Sequence, residues 1–449
     1  MREIRSYQVD EIIDSQPIGR LQVRTVALCC AVAALNGFDG QVIGFLAPAM
    51  AADLRVDVRS FGPMFAAGFL GLMIGAMVMG PLGDRIGRKP ALLISTVVFG
   101  VLAAVTGFIH SVNELVLVRF LTGLGLGGAL PNVAALATEY MPKRLNRIPA
   151  SLIGAAIPAG AMGAGLIATL IVPQLGWRWM FYLGGLMPLI LAAALALALP
   201  ESARYLSLDS RKQGQVRRIM AKIWPDGVRL DAHFAAPVRT ADAGGSVFEL
   251  FREGRATVTS MLWVINVMSF MLLYFIVSWM PALLKAAALP LTAGIMSITA
   301  FSFGGIVGSL AEGPLMNRLS PERVLFAEFI AFAMLVGILA ALPLSLGLVA
   351  VLSFALGVTV QAAQAGLIIF AVTVYPTEIR STGAGWCVAV GIVGSIIGPL
   401  LGGAAMLAGW STQSIFASGA VPALCAATAV AVIAWSKREL REFREGGAT

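Results

Sequence analysis

A short polar segment between two long apolar blocks reads Gly80-Pro81-Leu82-Gly83-Asp84-Arg85-Ile86-Gly87-Arg88-Lys89. It recurs in decayed form, displaced by 233 residues, as Gly313-Pro314-Leu315-Met316-Asn317-Arg318. A second echo joins Tyr140-Met141-Pro142-Lys143-Arg144 to Tyr375-Pro376-Thr377-Glu378-Ile379-Arg380, with the two prolines 234 residues apart. Two echoes at nearly the same offset indicate that the chain contains a duplicated unit.

Twelve apolar blocks surround these segments, and each is about as long as the ~20 residues that a membrane-spanning helix needs. Their approximate spans are 25–50, 61–82, 90–110, 113–138, 148–172, 178–199, 258–284, 292–316, 322–343, 345–374, 381–408 and 411–435. The first block contains Asp39 at its centre, which does not fit the short apolar region of a cleaved signal peptide. The sequence therefore predicts an all-α membrane protein with twelve transmembrane helices.

The composition agrees with a lipid environment. Of the 449 residues, 58% are hydrophobic and 12% charged, whereas soluble domains carry about 25% charged residues. The net charge of +8 is spread between the apolar blocks, and a nucleic-acid-binding protein would gather it on one basic face. We therefore expect the lipid bilayer as a partner and no nucleic acid. The four cysteines lie inside apolar blocks and are interpreted as packing residues.

The basic residues also predict an orientation. Most of the 32 Lys and Arg residues lie in the segments that share a side with both termini. The opposite segments hold only Arg55, Arg59, Arg178 and Lys285. The positive-inside rule then predicts that both termini are cytoplasmic, in a bacterial-type inner membrane.

Residues 200–257 form the one long hydrophilic stretch and divide the helices six plus six. We expect residues 1–199 to form an N-terminal six-helix bundle, and residues 258–449 a C-terminal bundle with a short tail. The stretch between them is interpreted as a cytoplasmic linker loop, too short and polar to hold a core of its own. Two duplicated bundles that rock around a site at mid-membrane are typical of transporters.

At this point the sequence resembles the major facilitator superfamily, whose loop between helices 2 and 3 has the pattern GxLxDRxGRK. Within that superfamily it is similar to the aromatic acid:proton symporter family. The resemblance covers nearly the whole chain and implies two pseudo-symmetric six-helix bundles. The matching segments are 36–39, 80–89, 119–132, 138–144, 200–202 and 394–399.

The chain departs from the family pattern at three positions. Asn36 stands where members carry an acid, Asn317 where an aspartate is common, and Ile392 where many members have Arg. A missing cation changes the shape or charge of substrate that a site accepts. Uptake of another organic anion, a sugar or a polyol, or export of a drug, therefore remains an alternative to import of an aromatic carboxylate.

Asp39 and Arg119 are the charges placed deepest in the apolar blocks. A charge at the centre of a membrane helix costs roughly 2.5–3.5 kcal/mol on insertion scales, so it needs a partner, water or a task. The resemblance implies that their helices are neighbours. Our hypothesis is that Asp39 carries the coupling proton and that Arg119 is its intermittent partner, the alternative being a fixed structural ion pair. Glu139, at the inner end of its helix, is a further coupling candidate from its matching motif.

The polar loop is interpreted, by resemblance, as a conformational latch that stabilises one orientation of the transporter. Positive-inside charge alone is the alternative interpretation of its basic residues. Glu328 lies about one turn into its helix, where snorkelling towards the interface accounts for it. The latch residues are Gly80, Asp84, Arg85, Gly87, Arg88, Lys89, Glu378 and Arg380.

Buried polar and aromatic residues of the cavity helices are the candidates for substrate binding. Amides need hydrogen-bond partners that a carboxylate or phenol could supply, and an aromatic ring favours aromatic walls. For each aromatic residue, packing or lipid contact is the alternative. The candidates are Asn36, Phe38, Asn132, Asn266, Tyr274, Trp279, Gln361, Gln364 and Trp386.

Enzyme activity is not expected. The sequence has no phosphate-binding GxxxxGK[ST] stretch and no catalytic or metal-ligating constellation. No cofactor or metal is expected besides the coupling proton. We also expect the protein to be monomeric. The sequence thus predicts a proton-coupled symporter that imports an aromatic carboxylic acid by alternating access.

Overall fold

A computed structural model describes residues 6–145, 147–225, 233–235, 247–252, 254–376 and 379–446. Its elements are β1 (Ser6–Gln8), α1 (Val9–Ser15), α2 (Arg20–Asp53), α3 (Gly62–Ile86), α4 (Arg88–Thr106), α5 (Val112–Glu139), α6 (Arg147–Leu175), α7 (Arg178–Ala198), α8 (Ala203–Ser207), α9 (Gln213–Ile223), β2 (His233–Ala235), α10 (Ala256–Ala286), α11 (Leu291–Arg318), α12 (Pro321–Ala341), α13 (Leu346–Val374), α14 (Arg380–Leu407), α15 (Thr412–Ser418) and α16 (Ala420–Gly446).

Within the described ranges, twelve helical spans are long and apolar enough to cross a membrane. The prediction of twelve transmembrane helices is confirmed. The spans are α2 to α7, α10 to α14, and a last one over Thr412–Ser436 that joins α15 to the start of α16. Helices that satisfy their own backbone hydrogen bonds are the structures that an apolar sequence can form in lipid.

The chain divides into two compact units. The first contains residues 1–39, 70–160 and 178–240, and the second contains residues 40–69, 161–177 and 241–449. These bounds come from the contacts in the structure and leave the predicted division at residues 200–257 untested.

The duplication reappears in how closely helices pack within each unit. At several glycines a Cβ atom would collide with a carbonyl oxygen of the neighbouring helix, which is the close approach that small residues permit in membranes. Three of these contacts in the first unit have a counterpart in the second at an offset of 233 or 234 residues. The contacts are Gly71 with Phe120, Gly75 with Leu124 and Gly160 with Ala34, then Gly304 with Phe354, Gly308 with Val358 and Gly394 with Val267.

Two elements of the middle stretch, α9 and β2, pack against the N-terminal segment of the chain. β1 pairs in parallel with β2, the one exception to an all-α fold among the described residues. From α9, Val216, Met220 and Ile223 are buried in one apolar cluster with residues of α1 and the ends of α5 and α7. This described part of the middle stretch therefore shares a core with the N-terminal segment, whereas the sequence predicts only that the stretch holds no core of its own.

Candidate functional site

Asp39 of α2 and Arg119 of α5 form an ion pair inside the first unit. Arg119 Nη1 lies 3.1 Å from Asp39 Oδ2, and the two residues are 5% and 1% exposed. The structure therefore brings together the two charges that the sequence places deepest. Burial on this scale leaves each charge dependent on the other for compensation.

Two side chains that the sequence interpretation missed complete the surroundings of Arg119. Its Nη2 donates to Thr106 Oγ1 at 2.8 Å, and its guanidinium carbon lies 5.3 Å from the centroid of the Phe181 ring. Among the described residues, Asp39 Oδ1 and Arg119 Nε have no hydrogen-bond partner. Each member of the pair thus keeps one polar atom without a partner among the described residues, and Arg119 has a second anchor that does not involve Asp39.

The other two candidates of this helix make packing contacts. The Asn36 amide donates to the Leu126 carbonyl oxygen at 3.0 Å, so it holds α2 against α5. Phe38 is buried and packs against Gly184 of α7.

Asn132 serves helix packing at the polar loop. It is 0% exposed, and its Nδ2 donates to the carbonyl oxygens of Met79, at 3.1 Å, and Gly128, at 2.9 Å. Its Oδ1 accepts a 3.4 Å bond from Arg88. Backbone carbonyls and Arg88 thus occupy both ends of the amide in this structure, and substrate binding by Asn132 stays a prediction.

The polar loop forms a charge network with the end of α5. Arg88 pairs with Asp84, and its Nε lies 3.9 Å from Glu139 Oε1. Glu139 Oε2 has no hydrogen-bond partner in the described part of the chain. Glu139 therefore belongs to the loop network, and Asp39 has its own partner elsewhere in the unit.

The loop is also fastened to the segment that follows α7. The Lys89 backbone N–H donates to Glu201 Oε1 at 3.1 Å, and the Tyr205 hydroxyl donates to the Arg85 carbonyl oxygen. Gly87 has a φ of 107°, and a Cβ there would meet the Glu201 carboxylate. Glycine is thus required at this position for two reasons.

Tyr140 closes the same region. Its hydroxyl donates to the Glu201 carbonyl oxygen. Burial, followed by the charges of Glu139 and Glu201, holds the pKa of the Tyr140 phenol above its usual value, so it stays a donor.

The remaining latch residues lie apart from this network or outside the described ranges. Gly80 packs loosely, its nearest neighbour being Pro131. Arg380 Nε donates to the Tyr375 carbonyl oxygen at 3.4 Å within the second unit. Glu378 lies outside the described residues.

The second unit holds most of the predicted substrate-binding residues. Gln364 of α13 donates to Ser269 Oγ of α10 at 3.1 Å, whereas Asn266 donates to the Leu262 carbonyl oxygen of its own helix. Gln361 packs against Gly305, and its Nε2 finds no acceptor among the described residues. The Tyr274 ring lies 4.3 Å from that of Phe69.

The two tryptophan candidates have different surroundings. Trp279 is fully buried and donates to the Pro399 carbonyl oxygen at 2.8 Å, so it fixes α10 to α14. Trp386 is 40% exposed and stacks on Trp263 with ring centroids 6.1 Å apart. Trp279 therefore makes packing contacts, and its role in substrate binding stays a prediction.

A polar contact in the second unit was not anticipated. Ser302 of α11 donates to Gln41 Oε1 of α2 at 3.1 Å, and both residues are buried. Gln41 follows Asp39 by two positions, and this proximity in sequence is the signal that could have marked Gln41 as a polar residue of interest.

Comparison with known proteins gives consistent matches along the chain. The family model of the Major Facilitator Superfamily matches residues 29–347 and 262–448. The 4-hydroxybenzoate transporter PcaK of Pseudomonas putida is 34% identical, over 95% of this chain and 96% of its own. The 3-(3-hydroxy-phenyl)propionate transporter of Escherichia coli (strain K12) is 33% identical, over 91% and 93%.

Solved structures agree on the fold. The partially occluded inward-open xylose transporter XylE from E. coli superposes with a TM-score of 0.71 at 16% identity, over 91% of this chain and 97% of that one. Similarity at this identity concerns architecture alone. With the family model matching most of the sequence, the chain belongs to the major facilitator superfamily and is a transporter, not an enzyme.

Proposed function

We propose that the protein is a proton-coupled symporter that imports an aromatic carboxylic acid by alternating access. It works as a single chain in the bacterial inner membrane with both termini in the cytoplasm. The asymmetry of Lys and Arg between loops supports this orientation.

The observation that carries the proton-coupling proposal is the buried ion pair of Asp39 and Arg119. Each partner keeps one polar atom without a hydrogen bond among the described residues. A substrate carboxylate that binds the Arg119 guanidinium competes with Asp39 for the same donors. Asp39 then lies buried without its cation, and binding a proton is the least costly way to remove its charge.

This exchange links the two fluxes. The substrate carboxylate brings one negative charge to Arg119 and displaces Asp39. The proton then neutralises the carboxylate of Asp39. Thr106 and Phe181 keep the guanidinium in place during the exchange, because neither contact depends on Asp39.

The relatives support the substrate class. Transporters of 4-hydroxybenzoate and of 3-(3-hydroxy-phenyl)propionate are each about one third identical to this chain over more than nine tenths of it. Both compounds combine a phenol ring with a carboxylate. Within the second unit, Gln361, Gln364 and Tyr274 are the proposed substrate-binding residues, since they offer amide groups and an aromatic face.

The test is uptake into proteoliposomes under an imposed pH gradient. 4-Hydroxybenzoate and 3-(3-hydroxyphenyl)propionate should accumulate, while an aliphatic acid of similar size and xylose should not. Accumulation of xylose or of the aliphatic acid alone would replace the aromatic assignment with the alternative that Ile392 leaves open.

Variants separate coupling from binding. Asp39→Asn should fold and bind substrate but lose accumulation driven by the gradient, and Arg119→Gln should raise the KM. Asp57→Asn is the matched control, because Asp57 is exposed and lies between two spans. Gradient-driven accumulation by Asp39→Asn at the wild-type level would refute the coupling role.

A further inference from the structure

Two more carboxyl groups meet inside the second unit. Glu312 lies six residues before the end of α11 and Glu328 seven residues after the start of α12. At 1.5 Å per residue both are about 10 Å along their helices from the connecting loop. Their carboxyl groups are within hydrogen-bonding reach of each other.

Glu312 is buried without a donor. The residue is 1% exposed, and neither of its carboxyl oxygens receives a hydrogen bond from any described residue. Glu328 Oε2 is likewise buried and lacks a donor within the described ranges. Two charged carboxylates in this position would face each other without compensation, inside apolar helical spans where charge is costly.

The described parts of α11, α12 and α13 pair no cation with either carboxyl group. The charged residues nearest in sequence are Arg318, Glu322 and Arg323, at the ends of α11 and α12. α13, which packs on both helices, contains no charged residue. Among the described residues, no ion pair reaches Glu312 or Glu328.

The space around Glu312 is fitted to its carboxyl group. Gly366 of α13 lies against Glu312 Oε1, and a Cβ at Gly366 would collide with it and with Met316. The offset of the repeat places Asn132 of the first unit opposite Gly366 and Met79 opposite Glu312. In the first unit this position is thus filled by the amide of Asn132. In the second unit it is filled by the carboxyl group of Glu312, which comes from the adjacent helix.

We propose that Glu312 and Glu328 form a second proton-binding site, separate from Asp39, in which the two carboxyl groups share one proton. The protonated group donates its O–H to the other carboxylate, so that one negative charge and one hydrogen bond replace two opposed charges. A bare metal cation is a poorer occupant, since no group of three or more acidic, His or Cys ligands exists among the described residues.

The shared proton ties α11 to α12 near their connecting loop. It can leave only if the two carboxyl groups separate or water reaches them, because ionising both in contact is unfavourable. A movement of α11 against α12 would therefore release the proton, and deprotonation would favour that movement. The site makes the second unit sensitive to protons independently of the substrate.

Infrared difference spectroscopy of the purified protein in lipid, without substrate, tests the proposal. At pH 7 the wild type should show the C=O stretch of a protonated carboxyl group, shifted by exchange into D2O. Glu312→Gln and Glu328→Gln should each remove or displace this band, since the amide N–H2 of glutamine replaces the shared proton as donor. The double variant should remove no more than one band.

Matched controls assign the band. Glu322→Gln, on the same helix as Glu328, and Asp39→Asn should both retain it, and replacing sodium or potassium by choline should not change it. Identical spectra for the wild type and both single variants would overturn the proposal, as would a band that appears only when alkali cations are removed. No substrate is present in this experiment, so it does not test the coupling role of Asp39. Failure of the Glu312–Glu328 proposal is therefore distinguishable from failure of the proposed function.

Thermal unfolding across pH provides a second readout if one variant is poorly stable. The wild type should lose stability at alkaline pH as the shared proton leaves and two buried charges remain. Glu328→Gln, with one charge at most, should show a smaller loss. A wild-type profile that is parallel to that of Glu328→Gln would also contradict the proposal.

Discussion

Asp39 and Arg119, eighty positions apart in the sequence, are joined by a 3.1 Å contact between a carboxylate oxygen and a guanidinium nitrogen. Neither residue has significant contact with solvent. The cost of removing one member of such a pair and its proposed role in coupling can be measured separately.

Removing one member of the pair should cost more than removing both. Arg119→Gln should lower the free energy of unfolding by about 3–5 kcal/mol, because Asp39 is left as an unpaired buried charge. Adding Asp39→Asn should recover part of this loss. Thermal and denaturant unfolding of the two single variants and the double variant measure the coupling, and strictly additive losses would contradict it.

The close helix contacts predict matched effects in the two halves. Gly160→Ala and Gly394→Ala should each destabilise the protein by about 1–3 kcal/mol, because the new methyl group collides with a backbone carbonyl. Gly163→Ala and Gly385→Ala, in the same helices, should be neutral or slightly stabilising, since a Cβ there meets no atom within 4 Å. Melting temperatures in a single detergent compare the four, and equal effects within each helix would refute the packing argument.

The N-terminal segment should loosen when its ion pair is removed. Arg204 Nε and Nη2 each donate to an oxygen of Asp10 at 2.8 Å, and this bidentate contact fixes α1 against α8. Asp10→Ala should accelerate amide hydrogen exchange in α1 and α9. Glu11→Ala is the control, because Glu11 is exposed on the same helix. Equally fast exchange in both variants would show that loss of an acidic residue from α1, and not loss of the ion pair, causes the change.

Gly87 should tolerate no side chain. Gly87→Ala combines a φ of 107° with a collision against Glu201, so we expect about 2–3 kcal/mol of lost stability. Gly80→Ala, in the same motif, has its nearest neighbour at 3.9 Å and should melt close to the wild type. A Gly87→Ala protein as stable as Gly80→Ala would show that the loop can rearrange.

The sequence predicts helices better than it predicts contacts. Apolar length alone places all twelve spans, with errors at the ends such as α2 beginning at Arg20, because a helix continues past the lipid-facing part of its sequence. The cost of a buried charge also singles out Asp39 and Arg119. Burial of an amide does not reveal its partner: the sequence singles out Asn132 as a substrate candidate, and the structure shows its bonds to Met79 and Gly128.

Two other features were missed although a signal existed. Val216, Met220 and Ile223 follow the spacing i, i+4 and i+7, which indicates an amphipathic helix with a buried face. Their polar neighbours favour the interpretation of the stretch as a linker loop. Glu312 directly precedes the decayed copy of the polar loop, where Met79 stands in the other half, and the comparison of these two positions would have found it.

The pairing of Ser6–Gln8 with His233–Ala235 has a consequence for synthesis. The first strand leaves the ribosome about 225 residues before its partner, which corresponds to roughly 10–45 s at ordinary elongation rates. During this interval six membrane helices are inserted while the leading segment has no strand to pair with. Nascent chains arrested before and after residue 235 should therefore differ in how readily a protease cleaves near the amino terminus.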